Sequence, residues 1–579
     1  MTISEIVTSV LIVGAGPAGA NVDIVRLRLC AALWLAQLGI DFRIVDRRSD
    51  QPRKGQADGL NPKTMEIFEA FGIHEKITKR WEPGTDEMFW VRGKDGELTR
   101  MERLRKKHPH GVRWTHGTLQ QGTVEEIMKK RMTKISGITV DYDTSLSTLD
   151  IDTSRVGSLE AYPCTVLLQQ ESGGVPQKKL VQSKYVIGAD GGKSTTRNLL
   201  GFDMQGERGS SVWGVMDFVG RSDFPDFGAT SIIRSDVDGA VDFVRREDGL
   251  VRMYVELNKG PEWEGLDRDQ ITAELIIKKC QFLLRPYTLH VDECVWWSAF
   301  TATQRLSSGM SRHRRVFLVG DAVHTHSPLT GMGMNTSLQD SYNLVWKLRG
   351  VIKGQLKPEI LDTYDTERQV VAKQLLNADR TCLDLFETPI GSEAPSILER
   401  AEELIIFLAG RGICYSDPLL TSPSVRQIGL KPGENLPEQE LFNHATGRAT
   451  HLHNALKADG SWCLIVYAGD ASSLTKRLGD DKHFSGALCA VDKIILAEFP
   501  AIFPPMHRAA GQDYGKICID ETNVYEEAGL NQKTGGVVLV RPDCYIGWVG
   551  TLSDFGGLKE YLSRIFQTGS KIHDAHTSA

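Results

Sequence analysis

Gly14, Gly16 and Gly19 stand in a G-x-G-x-x-G pattern directly after the apolar run TSVLIV at 8–13. Glycines so spaced permit a tight turn, a close backbone approach to a pyrophosphate and packing of a helix on a strand. The helix start then offers free N–H groups and a positive dipole end to phosphates. Asp46 closes the next apolar run, FRIVD at 42–46, where such a site keeps the acid that accepts ribose hydroxyls. A second stretch, YVIGADGGKSTTR at 185–197, puts Asp190 and Gly191 at a strand end, with Ser194 and Arg197 opening a helix. An acid there can equally be a plain helix cap. A third stretch, 315–348, delivers Gly320 and Asp321 from a strand of buried type, then a proline-containing loop, then Gly331 and Gly333 before a helix. Such an acid can bind sugar or ribityl hydroxyls, and the glycine-rich helix start can offer donors to a ligand oxygen.

These residues need strands and helices behind them, and the apolar pattern supplies both. Residues 8–13 read as a buried parallel strand, CAALWLAQLG at 30–39 as a helix closed by Gly39, and 42–46 as the next strand. That is one βαβ unit. The middle of the chain, about 200–300, alternates as strands do: VRMYVEL at 251–257 sets Arg252, Tyr254 and Glu256 against Val251, Met253 and Val255. NTSLQDSYNLVWKLRGVI at 335–352 predicts an amphipathic helix. A Pro-, Gly- and Ser-rich stretch at 411–437 predicts a linker. Beyond it, SWCLIVY (461–467) and GGVVLVRPDCYIGWVG (535–550) are strand signals separated by helical stretches, which suits a small α/β domain.

The 579 residues imply two to four domains, and 41% apolar with 25% charged residues is the balance of a globular protein with ample core. A net charge of −6 argues against a nucleic-acid partner. The basic run RLRKKHPH (103–110) reads as a solvated loop, or as an attraction for an NADPH phosphate. The ten cysteines are scattered without a C-x-x-C, as reduced thiols would be. No apolar stretch approaches a membrane span of roughly 20 residues, so a cytoplasmic location is expected. His324-x-His326 lacks a carboxylate or cysteine at ligand spacing and predicts structural hydrogen bonding, not a metal site.

In this order, GxGxxG, GADGxxSxxR and GDAxHxxxPxxGxGxN resemble the single-component, FAD-dependent aromatic hydroxylases, and most closely their phenol 2-monooxygenase branch. The resemblance covers nearly the whole chain. It implies an α/β fold, α+β overall: a Rossmann-type FAD-binding domain interleaved with a mixed β-sheet substrate domain, and a C-terminal thioredoxin-like α/β domain. The boundaries expected are 1–415 for the first two, with the substrate part mainly at 81–110 and 200–300, a linker at 416–435, and 436–579 for the last. Without a C-x-x-C the last domain reads as architectural or dimer-forming, and the resemblance implies a homodimer.

Carried over residue by residue, the resemblance implies that Asp46 holds the adenosine ribose and Asp321 the ribityl chain. Pro328, Gly331, Met332, Gly333, Met334 and Asn335 would lie against the isoalloxazine, with Gln121 a further flavin contact. Asp190 and Gly191 would sit near the phosphates and the nicotinamide path. KGQADGLNP supplies Asp58, and LVRMYVEL supplies Arg252 and Tyr254, matching the residues that phenol hydroxylases place on their substrate. Each also has an ordinary explanation, as a turn cap or an exposed strand residue. The chemistry implied is reduction of FAD by NADPH, addition of O₂ at the flavin C4a, and attack by the hydroperoxide on a ring made electron-rich by ionisation of its phenol. Asp58 would be the base, Tyr254 a hydrogen-bonding partner and Arg252 a stabiliser of the phenolate or of a neighbouring carboxylate. The rivals are a hydroxylase of 3-hydroxybenzoate, one acting on a larger polyketide-like phenol in secondary metabolism, and a catalytically silent flavin-fold binding protein.

One feature departs from the pattern. Gly19 and Asp46 are 27 positions apart, against the usual 20 or so. Striking out ANVDIVRLR (20–28) restores ordinary spacing. A helix lengthened by nine residues would grow by about 13.5 Å and rotate its lower face off the sheet, so 20–28 is expected to loop out or form a separate turn before the helix resumes near Leu29. The segment reads as the residue of a misplaced splice boundary, as a tolerated insertion, or as the mark of a paralogue with weakened cofactor binding.

Overall fold

The computed structural model describes residues 4–14, 28–50, 54–84, 86–93, 95–104, 111–172, 175–387, 404–422, 429–443, 446–467, 469, 493–497, 506–507, 511–512, 517–519 and 524–567. Gly16, Gly19, residues 20–27 of the surplus segment and 105–110 of the basic run lie outside them.

Strand β1 (Ser4–Gly14), helix α1 (Arg28–Gln37) and strand β2 (Phe42–Asp46) make the expected βαβ unit. β1 starts earlier than its apolar run because Ser4–Val7 pair with Lys179–Gln182 of a neighbouring strand, where Glu5 and Val7 are exposed and backbone pairing needs no apolar pattern. Leu29 to Ala36 of α1 are buried against the sheet, and Gly39 ends the helical stretch at φ +63°. Strand Val175–Gly188 runs parallel to β1 on its other side, followed by Val316–Leu318, also parallel. Gly14 lies opposite Asp46, Val13 opposite Gly188, and Gly188 opposite Leu318. The four parallel strands therefore end together and bring Gly14, Asp46, Asp190 and Asp321 to one margin, outside the carboxyl ends, where open α/β sheets bind ligands.

The second sheet has eight strands, in the order His324–Thr325, Leu289–Ser307, Met204–Ser222, Val251–Glu256, Gly239–Arg245, Thr230–Ser235, Glu87–Arg92 and Leu98–Leu104. It is antiparallel except where Thr230–Ser235 meets Glu87–Arg92. Helix Ala273–Leu284 covers one face with Ile276, Cys280, Leu283 and Leu284. The expected helix at 335–352 runs from Gly333 to Ile352. A third sheet holds Cys463–Tyr467, Lys493–Ala497 and the hairpin Gly536–Val540 with Ile546–Gly550. Trp548 of this sheet, Trp462 just before its strand Cys463–Tyr467 and Tyr561 of helix Phe555–Ile565 pack into the same hydrophobic core as β1 and α1. No helix among the described residues is long and apolar enough to cross a membrane.

Candidate active site

Asp58, Arg252 and Tyr254 come together, although 194 and 196 positions separate the aspartate from the other two. Asp58 sits in the loop after β2, held by the Leu119 amide, which donates to its carbonyl (2.9 Å). Its carboxylate faces two guanidinium groups, Arg246 Nη1 at 3.2 Å and Arg252 Nη1 at 3.3 Å. Arg252 also donates to the Gln56 carbonyl (2.7 Å) and to both oxygens of Asp217 (2.6 and 2.8 Å), its cross-strand neighbour. Arg246 adds Glu247 (2.7 Å) and Asp217 (3.2 Å). Burial pushes the Asp217 carboxyl up, but the charges of Arg252 and Arg246 outweigh it and hold the group below its ordinary range. Burial raises the Tyr254 hydroxyl well above its ordinary value, so it is a neutral donor. Arg252 lies 5.9 Å from the Tyr254 ring and 5.7 Å from the Trp296 ring. At Gly55, φ is +69° and a Cβ would collide with the Trp296 ring, so the loop must be glycine to approach this closely.

Arg246, Asp217 and Glu247 escaped the sequence reading. The signal for Arg246 was present in REDGL: Asp248 (φ +58°) and Gly249 (φ +75°) make the hairpin turn that an Asp-Gly pair announces. That turn brings Arg246 back beside the strand that carries Arg252.

Asp58 and Tyr254 line a cavity of about 390 Å³, with Pro328, Gly331, Met332 and Asn335 on another wall. Its floor is the second sheet. Tyr254 lies opposite Asp242, Asp242 opposite Ile232, and Ile232 opposite Phe89, so one row of cross-strand neighbours spans four strands, or roughly 14 Å.

The loop expected to meet the flavin is anchored from both neighbouring helices. Asp340 accepts from the Gly320 amide (2.9 Å), His324 Nε2 (3.0 Å) and Arg368 Nε (2.6 Å). Asp379 accepts from the Ser327 amide (3.1 Å) and hydroxyl (2.5 Å). His324 and His326 thus serve hydrogen bonding. Gly331 (φ +63°) closes the turn that Pro328 opens. Asn335 donates to Gly59 O (3.0 Å) and Gly331 O (2.8 Å), while its oxygen accepts from the Asn61 amide and the Thr64 hydroxyl, so its side chain clamps the loops. Met334 is fully buried in the core, so its backbone is the part left to meet a ligand, as at Gly333, which opens the helix. Asp190 spends its carboxylate on the next helix, accepting from the Ser194 hydroxyl, the Thr196 amide (2.8 Å) and the Thr196 hydroxyl (3.0 Å), with Gly191 beside it at φ +81°. The N-cap of that helix is Ser194, which Asp190 braces from the preceding loop. Arg197 ties this loop to the Asp321 loop through Gly192 O (2.9 Å) and Ala322 O (3.1 Å).

The residues fit a flavin at this end. Gln121 opens a helix, is 1% exposed, and keeps its Oε1 buried with no hydrogen-bond partner, while its Nε2 donates to Glu125 (2.6 Å). A buried oxygen without a donor costs stability unless a ligand supplies one. The end that the resemblance assigns to adenosine differs. Asp46 is fully buried and ion-paired to both Arg28 and Arg48. Burial pushes its carboxyl up, and the two arginine charges outweigh that and lower it.

Residues 7–379 match the model of an FAD binding domain, and 414–495 with 489–570 match the phenol hydroxylase C-terminal dimerisation domain. An FAD-dependent monooxygenase of Aspergillus hancockii is 50% identical over 528 residues, covering 87% of this chain and 99% of the relative. The 3-hydroxybenzoate 4-monooxygenase of Comamonas testosteroni is 32% identical over 611 residues, covering 96% and 94% of the two chains. A flavin-dependent monooxygenase solved with FAD and substrate has the same fold, with a TM-score of 0.70 at 21% identity over 96% of this chain and 98% of that one. The chain belongs to the FAD-dependent aromatic hydroxylases, in the branch that carries a phenol hydroxylase dimerisation domain.

Proposed function

We propose that this protein is an NADPH-dependent hydroxylase of a phenolic ring within a substrate larger than phenol, and that it works as a homodimer. When bound, FAD supplies an electrophilic oxygen taken from O₂ after reduction by NADPH. Asp58 accepts the phenolic proton, which drives electron density onto the ring carbons. Arg252 balances the phenolate, and the neutral Tyr254 hydroxyl donates to its oxygen. Arg246 and Arg252 from one side and the loop 55–58 from the other exclude water, which protects a reactive oxygen species from decay. Gln121, Asp321 and the backbone of 328–335 are the groups that would hold the flavin.

The observation that carries the size argument is the row Tyr254, Asp242, Ile232 and Phe89. A cavity of about 150 Å³ already holds benzene, and this one is about 390 Å³. Part of it is the berth of the flavin edge, but a floor four strands wide leaves room for fused or linked rings. Similarity to a 3-hydroxybenzoate 4-monooxygenase supports a ring that bears a hydroxyl.

The test is a panel of phenols with one to four rings, scored by NADPH oxidation and by gain of one oxygen atom in the product. Turnover should rise with ring count, and Ile232→Trp should abolish turnover of the larger substrates while sparing phenol. Equal turnover of phenol and the larger substrates would overturn the size argument. A colourless protein that consumes no NADPH would overturn the enzyme reading in favour of a silent binding protein.

A further inference from the structure

The described part of α1 opens with Arg28 and Leu29. In an uninterrupted fingerprint the residue before that leucine is the third glycine, because striking out 20–28 joins Gly19 to Leu29. Arg28 therefore stands where the fingerprint needs its smallest residue, at the closest approach of helix to strand. The side chain fills the space that glycine would leave empty. A Cβ on Gly14 would collide with the Arg28 Cδ. From there the guanidinium reaches Asp46, and both residues are fully buried.

Both oxygens of the Asp46 carboxylate are consequently engaged by arginines. One oxygen accepts from the Arg48 amide (2.9 Å), the other accepts from Arg48 Nη2 (2.9 Å), and Arg28 pairs with that second oxygen as well. An acid that receives ribose hydroxyls must offer open lone pairs to them. Arg28 is itself poorly accommodated. Its Nε, Nη1 and Nη2 are all buried without a hydrogen-bond partner, so Nη2 meets Asp46 through charge alone. The ion pair with Asp46 is what holds it there.

We propose that Arg28 competes with the adenosine ribose of FAD for Asp46. The chain holds FAD through its flavin end and gains little from the adenosine. This inference rests on the FAD-binding character of the fold and is independent of the substrate argued above, because binding is measured with neither substrate nor NADPH present.

The test is titration of full-length apoprotein with riboflavin, FMN and FAD, read by quenching of flavin fluorescence. Wild-type Kd values for FAD and FMN should agree within about threefold, and Arg28→Gly should tighten FAD about tenfold or more while leaving FMN unchanged. In an Asp46→Asn background, the effect of Arg28→Gly should fall below about twofold. Arg28→Met, which keeps the apolar stem, reports the same change if the glycine variant does not fold. The proposal is overturned if wild type binds FAD about 100-fold or more tighter than FMN. It is also overturned if removal of the arginine leaves FAD affinity unchanged or weakens it, the last result making Arg28 a ligand of the diphosphate.

Discussion

Asp58 faces two guanidinium groups, and their own partners decide what it can do. Asp217 takes both arms of Arg252 and Glu247 takes Arg246, while Nη1 of each arginine stays within ion-pair distance of Asp58 Oδ2, which itself has no hydrogen-bond partner. Asp58→Asn should keep the fold and the FAD affinity and lower kcat for hydroxylation by about 10²–10⁴-fold, the usual range for a lost general base. Arg246→Met should lower kcat less, alter the pH profile and leave FAD affinity alone, because Arg246 acts through Asp58. Rapid-quench product analysis separates the two, and an Asp58→Asn enzyme with wild-type kcat would remove the base assignment. Asp58, Arg252 and Tyr254 could be picked from the sequence because each stands in a short motif that a family resemblance recognises. Asp217 could not. Its role is a cross-strand pairing with Arg252, set by sheet register, and register is written in no local pattern.

At the scale of elements, apolar periodicity made strand β2 and the helix Gly333–Ile352 readable almost to the residue. It shortened β1 because the pairing of Ser4–Val7, with Glu5 and Val7 exposed, leaves no apolar pattern. The anchoring of the cofactor loop was unreadable for another reason. Asp340 and Asp379 look like solvent residues of helices, and only the fold turns them onto Gly320 and Ser327. His326 belongs to this anchor. Burial lowers its imidazole, but the hydrogen bond and charge of Asp379 outweigh that and raise it above the ordinary 6.5. A group raised on folding contributes stability that is fully present below its unfolded value and is lost as pH climbs through the folded one. The gap in Tm between wild type and His326→Gln should therefore be widest below pH 6.5 and close at higher pH. A gap of constant size from about pH 5 to about pH 9 would show that the imidazole contributes packing alone.

Across the whole molecule, the linker signal and the return of strand patterns after 437 predict a C-terminal unit, and its described residues pack into the core of the first sheet. Trp462 meets Trp346 edge-to-face at 5.6 Å, Trp34 Nε1 donates to Ala458 O (3.0 Å), and Trp346 Nε1 donates to Asp543 (3.0 Å). Beside them lies a buried charge cluster, in which Arg541 grips Glu367 (2.5 and 2.9 Å) and Asp543 (2.7 and 3.0 Å) while Lys347 donates to Glu367 (2.7 Å). Burial raises the Glu367 carboxyl, but the Arg541 and Lys347 charges outweigh it and take it down to about 2. Such a pair contributes little net stability against an apolar replacement, yet removing one partner leaves a charge stranded and costs ~3–5 kcal/mol. Arg541→Met should therefore destabilise the protein by that amount in urea unfolding. It should also melt the third sheet and the FAD-binding core in one transition, because they share one core. Adding Glu367→Gln should recover part of the loss, as expected for residues in direct contact. Two separated transitions in Arg541→Met would mean that the C-terminal unit folds alone, and that the shared core is an interface between independent domains.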